Sequence, residues 1–270
     1  MVMQLNNEQI KNLITSPCWQ KIFKQLYNSK NSEDNNYFEL IGFQYSFNPR
    51  KNYIISRNKL VFDINKAAKM YYWYKSKNSS DKSIIDSFPE YKNCFYRVYG
   101  GKFLSKQKCN SNYGIYAYSK NGLDFCIEKL KANCKTRQAC FCINNSKAMS
   151  SPDKLCTNTI HFNIKNESLI MVIQMRSSNF LTLLPYDIFN FTIFYAYVYE
   201  ALRDYYFNLK TCNIVMQINS LHFYTKDLVK AIGIKDLSYK NNLLSFSVKN
   251  IINNFENNLK NATDNDTRKI

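Results

Sequence analysis

The apolar positions of the chain follow a helical period in some segments and a period of two in others. Residues 7–27 repeat apolar side chains at helical spacing, which predicts an N-terminal helix. Its predicted inward positions are Ile10, Leu13, Ile14, Trp19, Ile22, Phe23 and Leu26. The period changes to two over 38–47, which predicts a strand that ends at the turn 48–50. A second helix is predicted from Asp63, a residue type that caps helix N-termini, through Tyr74.

The remaining pattern predicts one sizeable sheet with helices packed on it. Predicted helices cover 123–132 and about 187–205, and predicted strands cover 138–144, 158–165, 168–175 and 213–219. A tight turn near Asn166 joins two of these strands in a hairpin, whereas 75–95 has no period and is expected to be irregular. The predicted fold class is α+β (mixed α/β), a single domain around one large mixed sheet with a long buried helix. We expect an N-terminal helical segment (1–36), the main domain (37–248) and a polar tail (249–270).

One apolar stretch, 180–202, is long enough to suggest a membrane span. Pro185, Asp187 and Asn190 interrupt it, and Glu200 stands near its end. A buried helix of a domain in water therefore fits better than a membrane span. The opening residues MVMQLNNEQIKN lack the apolar run of a secretory signal, so we expect a cytoplasmic, reducing location.

The net charge of +17 and the pI of about 9.4 would suit a nucleic-acid-binding protein. However, the lysines are scattered rather than gathered in one block, and they accompany many Asn, Ile and Tyr residues. A phosphate-bearing small ligand explains the charge as well as a polymer does. The nine cysteines show no metal-ligand spacing, and Cys140 and Cys142, which flank Phe141 on a predicted strand, are expected to be buried thiols.

The cysteine with the most informative surroundings is Cys156, in a loop before a predicted strand. On its own, such a cysteine is more often an inert thiol than a nucleophile. The hairpin that follows returns the chain to Arg176 and Ser177, so Arg176 is expected to lie beside Cys156. A guanidinium next to a thiol favours the nucleophilic thiolate. Arg176 and Ser177 together also make a candidate phosphate grip.

The run MRSSNFLTLLPYDIFNF, preceded by Cys156 and followed by SLHFYTKDL, resembles the thymidylate synthases and their relatives, the deoxycytidylate hydroxymethylases. TRQA at 136–139, VYGGKF and ELIGFQYSFNPR match earlier segments of that family in the right order, so the resemblance covers about 39–228. It implies a thymidylate synthase-like fold, a homodimer, a pyrimidine nucleoside monophosphate as substrate and 5,10-methylenetetrahydrofolate as cofactor.

The resemblance also implies roles for individual residues. Cys156 matches the nucleophile that adds to C6 of the pyrimidine, and Tyr99 matches a tyrosine involved in proton removal from C5. The matched phosphate ligands are Arg50, Arg176, Ser177 and Arg137, the last supplied to the partner subunit's site. His222 and Tyr224 match the pair that binds the sugar 3′-hydroxyl.

Asp187 bears on which base is bound. Thymidylate synthases have Asn at the matching position, whereas the cytidylate hydroxymethylases have Asp. A carboxylate accepts a hydrogen bond from an exocyclic amine, and a protonated carboxyl donates to a ring nitrogen. A cytosine-type base is therefore favoured. The alternative is that Asp187 merely caps the buried helix.

Three positions depart from the family pattern. Lys69, give or take one residue, matches the family's catalytic Glu; Asn179 matches an Asp that contacts the folate; and Leu183 matches a Gly in a tight turn. These changes affect the folate-binding residues and the proton relay more than the residues that match nucleotide ligands. Three interpretations follow: a divergent one-carbon transferase, a nucleotide-binding paralogue that has lost catalysis, and, on charge alone, an RNA-binding protein.

Overall fold

The computed structural model describes residues 17–29, 36–50, 53–56, 62–99, 102–106, 109–144, 153–230 and 237–240. Its helices are α1 (Pro17–Asn28), α2 (Ile64–Ser76), α3 (Ile84–Ser87), α4 (Lys92–Phe95), α5 (Gly114–Ala117), α6 (Leu123–Ala132) and α7 (Leu184–Arg203), with short 3-10 turns at Pro89–Tyr91 and Thr225–Lys230. Its strands are β1 (Tyr37–Phe47), β2 (Tyr53–Ser56), β3 (Tyr96–Tyr99), β4 (Lys102–Lys106), β5 (Cys140–Cys142), β6 (Thr157–Lys165), β7 (Ser168–Asn179), β8 (Lys210–Tyr224) and β9 (Leu237–Lys240).

The central feature is a five-stranded mixed sheet with the strand order β1-β8-β7-β6-β5. All its neighbours are antiparallel except β7 and β8, which are parallel because α7 carries the chain back across the sheet between them. In this register His222 of β8 pairs with Glu39 of β1 and with Asn179 of β7. The predicted mixed α/β fold with one large sheet is confirmed.

Helix α7 is buried along almost its whole length, as its apolar sequence predicts. It begins at Leu184, three residues earlier than predicted, with Pro185 in the first turn, where its missing N–H removes no helical hydrogen bond. The cap residue is Leu183, so the interpretation of Asp187 as the helix cap is wrong. Among the described residues, no helix combines the length and apolar character needed to cross a membrane.

Helix α1 packs on the sheet through the side chains that the helical period selects. Trp19, Ile22, Phe23 and Leu26 are all buried, which confirms these predicted inward positions. The Trp19 ring lies 5.1 Å from that of Phe180. The part of the predicted helix before Pro17 lies outside the described residues.

Several local predictions are confirmed and two are wrong. Helix α6 has the predicted bounds, and Asn166 and Glu167 form the hairpin turn with φ of 50° and 55°, the left-handed values that suit such turns. The segment 75–95 contains the short helices α3 and α4 rather than only irregular structure. Cys142 is exposed, because Phe141 is the residue of β5 that faces the core.

Candidate active site

The loop that carries Cys156 is attached to Arg176 at the start of β6. The Arg176 backbone N–H donates to the Cys156 carbonyl at 2.8 Å, so the predicted proximity is confirmed. The guanidinium donates from Nε to the Leu155 carbonyl and from Nη2 to the Lys154 carbonyl, both at 2.8 Å. Arg176 therefore holds the loop backbone with two of its five N–H donors.

The Cys156 thiol is mostly shielded from water, and burial dominates its acidity. Burial raises its pKa to about 11, although the Arg176 charge acts in the opposite direction and the Asp187 charge raises the pKa further. The sequence correctly predicts the direction of the Arg176 effect, but it does not reveal that burial is larger. The next residue, Thr157, donates its backbone N–H to the Tyr113 hydroxyl at 3.3 Å, a contact that no sequence pattern indicated.

Asp187 projects from the first turn of α7 into the interior beside Cys156. Burial raises the pKa of its carboxyl from 3.8 to about 7, and a 3.4 Å hydrogen bond from the Ser178 hydroxyl partly offsets the shift. The buried N-terminal turn of a helix favours the charged form, yet desolvation is the larger effect here. Near neutral pH this group can both accept and donate hydrogen bonds.

Asn179 ends β7 and closes the turn that leads into α7. Its Oδ1 accepts from the backbone N–H groups of Leu181 at 3.0 Å and Thr182 at 3.2 Å, and its carbonyl accepts from Leu183. The side-chain oxygen is therefore occupied within its own turn. Leu183 is half-buried and packs against the core.

The neighbouring strand β8 brings His222 and Tyr224 to the same end of the sheet. Their rings meet edge to face with centroids 5.3 Å apart, and the Ser177 hydroxyl lies 3.4 Å from His222 Nδ1. Burial lowers the pKa of His222, so the ring is neutral at physiological pH. Tyr224 is exposed. The structure thus brings together Cys156, Arg176, Ser177, Asn179, Asp187, His222 and Tyr224.

Arg50 is exposed and follows the end of β1 that pairs with Ile214. Glu39, eight positions before Phe47 in β1, pairs with His222 at the other end. Within one chain, the direction of β1 therefore leads Arg50 away from the His222 end of the sheet. Its role as a phosphate ligand stays a prediction.

The two further predicted residues are Arg137 and Tyr99. Arg137 is exposed and comes three residues before β5, at the end of the β5–β6 pair away from Cys156. The expectation that it serves a partner subunit's site remains a prediction. Tyr99 ends β3, but its side chain lies outside the described residues.

Helix α2 presents no acidic side chain to the site, since the segment 64–76 contains no Asp or Glu. Lys69 is exposed, so within the margin of one residue stated for this match, the inward position is not that of Lys69 itself. One residue corresponds to about 100° of helix rotation, and the next residue, Met70, is buried instead. An apolar thioether therefore occupies this inward position.

A cleft of about 570 Å³ opens beside Asn179. Its lining residues are Lys66, Ser87, Phe88, Pro89, Glu90, Asn179, Leu181, Thr182, Tyr186, Tyr224, Lys226, Asp227 and Lys230. The rings of Phe88 and Tyr186 meet edge to face at 4.8 Å and form an aromatic wall, and Lys66 and Lys226 add positive charge. Glu90 and Asp227 also line the cleft, and Asp227 pairs with Lys230 at 3.3 Å.

Comparison with known proteins agrees with this arrangement. The family model for thymidylate synthase matches residues 16–263. The chain belongs to the thymidylate synthase family. That family uses methylenetetrahydrofolate, and its match extends well beyond the segments that carry the resemblance in the sequence.

The relatives include deoxycytidylate 5-hydroxymethyltransferases of two phages. The enzyme of Enterobacteria phage T4 is 28% identical over 174 residues, and that of phage T6 is 28% identical over 178 residues. Each match covers 57% of this chain and 64% of the relative, so just under two thirds of each relative's length is represented.

Among solved structures, the thermostable thymidylate synthase A from Bacillus subtilis is similar, with a TM-score of 0.53 and 12% identity. The match covers 86% of this chain and 91% of that protein. It shows that the two proteins share a fold.

Proposed function

We propose that this protein transfers a one-carbon unit to C5 of a pyrimidine nucleotide, with a cytosine-type base, through a covalent bond between Cys156 and C6. The observation that carries the proposal is the buried Asp187 carboxyl, with a pKa of about 7, beside Cys156. Its nearest described partner, Ser178, is a neutral hydroxyl, so a base can take over its hydrogen bonds. The phage hydroxymethyltransferases are named for a cytidylate substrate, which supports this choice of base.

In the proposed step, the Cys156 thiol loses its proton to solvent and its sulfur forms a bond to C6. The C5=C6 π pair then forms a C4=C5 bond, and the C4=N3 π pair moves to N3, which takes up a proton. Protonated Asp187 would supply that proton, and the resulting carboxylate would accept a hydrogen bond from the 4-amino group. C5 thereby becomes a carbon nucleophile. A carboxyl with a pKa near neutral serves both roles, which an Asn side chain cannot.

The nucleotide is held by its phosphate and its sugar. Arg176 retains N–H donors beyond the two that bind the loop, and Ser177 adds a hydroxyl on the same strand. His222 and Tyr224 lie at the end of the adjacent strand, where they reach a sugar hydroxyl in this proposal. In this proposal, β7 binds the phosphate and the neighbouring parallel strand β8 binds the sugar.

The cleft beside Asn179 would hold the reduced folate, which supplies a one-carbon unit as an electrophile. The aromatic wall of Phe88 and Tyr186 would face the flat ring system, and Lys66 and Lys226 would face its carboxylates. Asn179 differs from the family's acidic residue and is already bonded within its turn. We therefore expect weaker folate binding than with an Asp there.

We also infer a homodimer in which Arg137 enters the partner subunit's site. Its position away from Cys156 in one chain and its exposure support this arrangement. The sheet face opposite α7 carries the half-exposed pair Val172 and Val215, which a second sheet would cover. The cytoplasmic location expected from the sequence stays a prediction.

The test is release of tritium from C5-labelled dCMP, CMP and dUMP in the presence of methylenetetrahydrofolate. We expect release from a cytosine nucleotide and its loss in Cys156→Ser, with Cys142→Ser as the matched control. Full activity in Cys156→Ser would contradict the proposed covalent step.

A second candidate function is nucleotide binding without turnover. It is favoured by the thiol pKa of about 11 and by Met70, where an inward acid is absent from α2. Calorimetric binding of dCMP without tritium release from any of the three nucleotides would support this function and would contradict the transferase. If neither binding nor release occurred, both functions would be wrong.

A further inference from the structure

Three side chains of the metal-binding type meet next to the loop that carries Cys156. The Sγ atoms of Cys94 and Cys109 and a carboxylate oxygen of Asp153 all lie within 4.8 Å of one another. Cys109 and Asp153 are buried, and Cys94 is half-buried. Cys94 comes from α4, Cys109 follows the β3–β4 hairpin, and Asp153 precedes Cys156 in its loop. No local sequence pattern indicates this cluster, because its members are far apart along the chain.

The spacing suits a tetrahedral ion. With zinc–sulfur bonds of about 2.3 Å and zinc–oxygen bonds of about 2.1 Å, tetrahedral angles place sulfur and oxygen about 3.6 Å apart. Cys109 Sγ lies 3.5 Å from Asp153 Oδ2. This distance matches the tetrahedral value, and all three ligand atoms lie within 4.8 Å of one another.

The carboxylate of Asp153 is held in one orientation by Ser111. The Ser111 backbone N–H donates to Oδ2 at 2.8 Å, and its hydroxyl donates to Oδ1 at 2.7 Å. Hydrogen bonds of this kind fix the orientation of carboxylate ligands in metal sites. Ser111 is itself buried, so water does not compete for these bonds.

The electrostatics of the cluster favour a cation. Once both thiols have lost their protons, three anionic groups lie within 4.8 Å of one another in largely buried surroundings, and a positive charge is needed to offset their repulsion. A divalent ion supplies that charge and converts both thiols to thiolates.

We propose that Cys94, Cys109 and Asp153 form a zinc site whose fourth position is taken by water. Two thiolates and a carboxylate at tetrahedral spacing select Zn²⁺ over the oxygen-seeking Mg²⁺ and Ca²⁺. Binding replaces one proton on each thiol, so two protons leave for each ion bound. The ion ties three separate segments together and anchors Asp153, which lies close before Cys156. The site stands independently of the nucleotide chemistry.

The test uses the full chain, purified under reducing conditions, stripped with a chelator and then titrated with Co²⁺ and with Zn²⁺. We expect one cobalt ion per chain, a thiolate-to-cobalt charge-transfer band, tetrahedral d–d bands, and displacement of cobalt by zinc. Cys94→Ser and Cys109→Ser should each weaken the band, whereas Cys140→Ser, a half-buried control, should leave it unchanged. Ser111→Ala keeps all three ligands and should bind about 10–100-fold more weakly.

Asp153→Asn is the variant that separates loss of the metal from loss of the fold, because its amide oxygen can still accept a hydrogen bond from Ser111. We expect it to keep the circular dichroism of the parent and to lose affinity for Co²⁺. Absence of the charge-transfer band in the parent, or a band unchanged in both cysteine variants, would overturn the proposal. A Cys94–Cys109 disulfide that persists in a reduced glutathione buffer, detected by mass spectrometry, would also overturn it.

Discussion

The backbone of Gly114 lies directly against the last turn of α2, so a Cβ atom on Gly114 would stand 1.7 Å from the Tyr74 carbonyl oxygen. The obstacle is backbone, which cannot rotate away as a side chain can. We therefore expect Gly114→Ala to lower the free energy of unfolding by about 1–3 kcal/mol, measured by urea denaturation.

The contrasting variant is Gly42→Ala. Gly42 has no atom within 4 Å of the added Cβ, but its φ of 68° is left-handed. In Gly42→Ala, only the left-handed conformation of the backbone is unfavourable, so we expect the free energy of unfolding to fall by about 1 kcal/mol. Equal losses in the two variants would argue against the close contact of Gly114.

The pH dependence of stability reports on Asp187. Its pKa is about 7 in the folded protein and 3.8 ordinarily, so between these values the folded state binds more protons than the unfolded state. The contribution of the neutral carboxyl is therefore complete below about pH 4 and is lost as the pH rises through 7. It amounts to at most about 4 kcal/mol. We expect Asp187→Asn to remove this decline in denaturation series from pH 4 to 8. A slope unchanged in the variant would show that other groups cause the decline.

The choice of base is expected to depend on the same carboxyl. In Asp187→Asn, an amide that always donates and accepts replaces a group that titrates, so binding should move from dCMP toward dUMP. We expect the ratio of the two dissociation constants, measured by calorimetry, to change roughly tenfold. Asp204→Asn, an exposed change at the other end of α7, is the control and should leave the ratio unchanged.

Arg176→Lys tests the attachment of the loop. A lysine ammonium lacks the planar fork that reaches two adjacent carbonyls, so the bonds to Lys154 and Leu155 are not both replaced. We expect a loss of about 1–2 kcal/mol in the free energy of unfolding. Arg203→Lys, whose guanidinium makes only an exposed 3.9 Å ion pair, should cost little. A similar loss in both variants would contradict the role of Arg176 in holding the loop.

The reactivity of Cys156 follows from its acidity. With a pKa of about 11, the thiolate makes up only about one part in 10,000 at pH 7. Alkylation by iodoacetamide, followed by mass spectrometry of the Cys156 peptide, should therefore accelerate about tenfold per pH unit between 7 and 10. Asp187→Asn should shift this profile to lower pH, because the Asp187 charge raises the thiol pKa. A midpoint near pH 7 in the parent protein would contradict the dominant effect of burial.

The sequence predicts the elements whose signals are local. The bounds of α6, the inward face of α1 and the turn at Asn166 depend on side-chain period and turn residues within a few positions. Helices α3 and α4 are too short to show a period, so the segment 75–95 looks irregular. Local patterns therefore describe the long elements and miss the short ones.

The site is predicted in part for the same reason. A hairpin brings Arg176 back to Cys156, and this can be worked out from the order of the strands alone. The position of Arg50 depends on the pairing of β1 with β8, and the roles of Ser178 and Tyr113 depend on tertiary packing. None of these contacts leaves a pattern in the neighbouring sequence.

The place of β8 inside the sheet also governs when the site can exist. β8 lies between β1 and β7, although it follows both in the chain. Strand β1 therefore has no partner in the sheet until β8 has been synthesised. A ribosome-bound chain that stops before β8 has Cys156, Arg176 and Asp187 but lacks the strand that carries His222. Contacts over such sequence separations slow folding. In the function proposed above, nucleotide binding therefore requires β8 and would report that this late strand has joined the sheet.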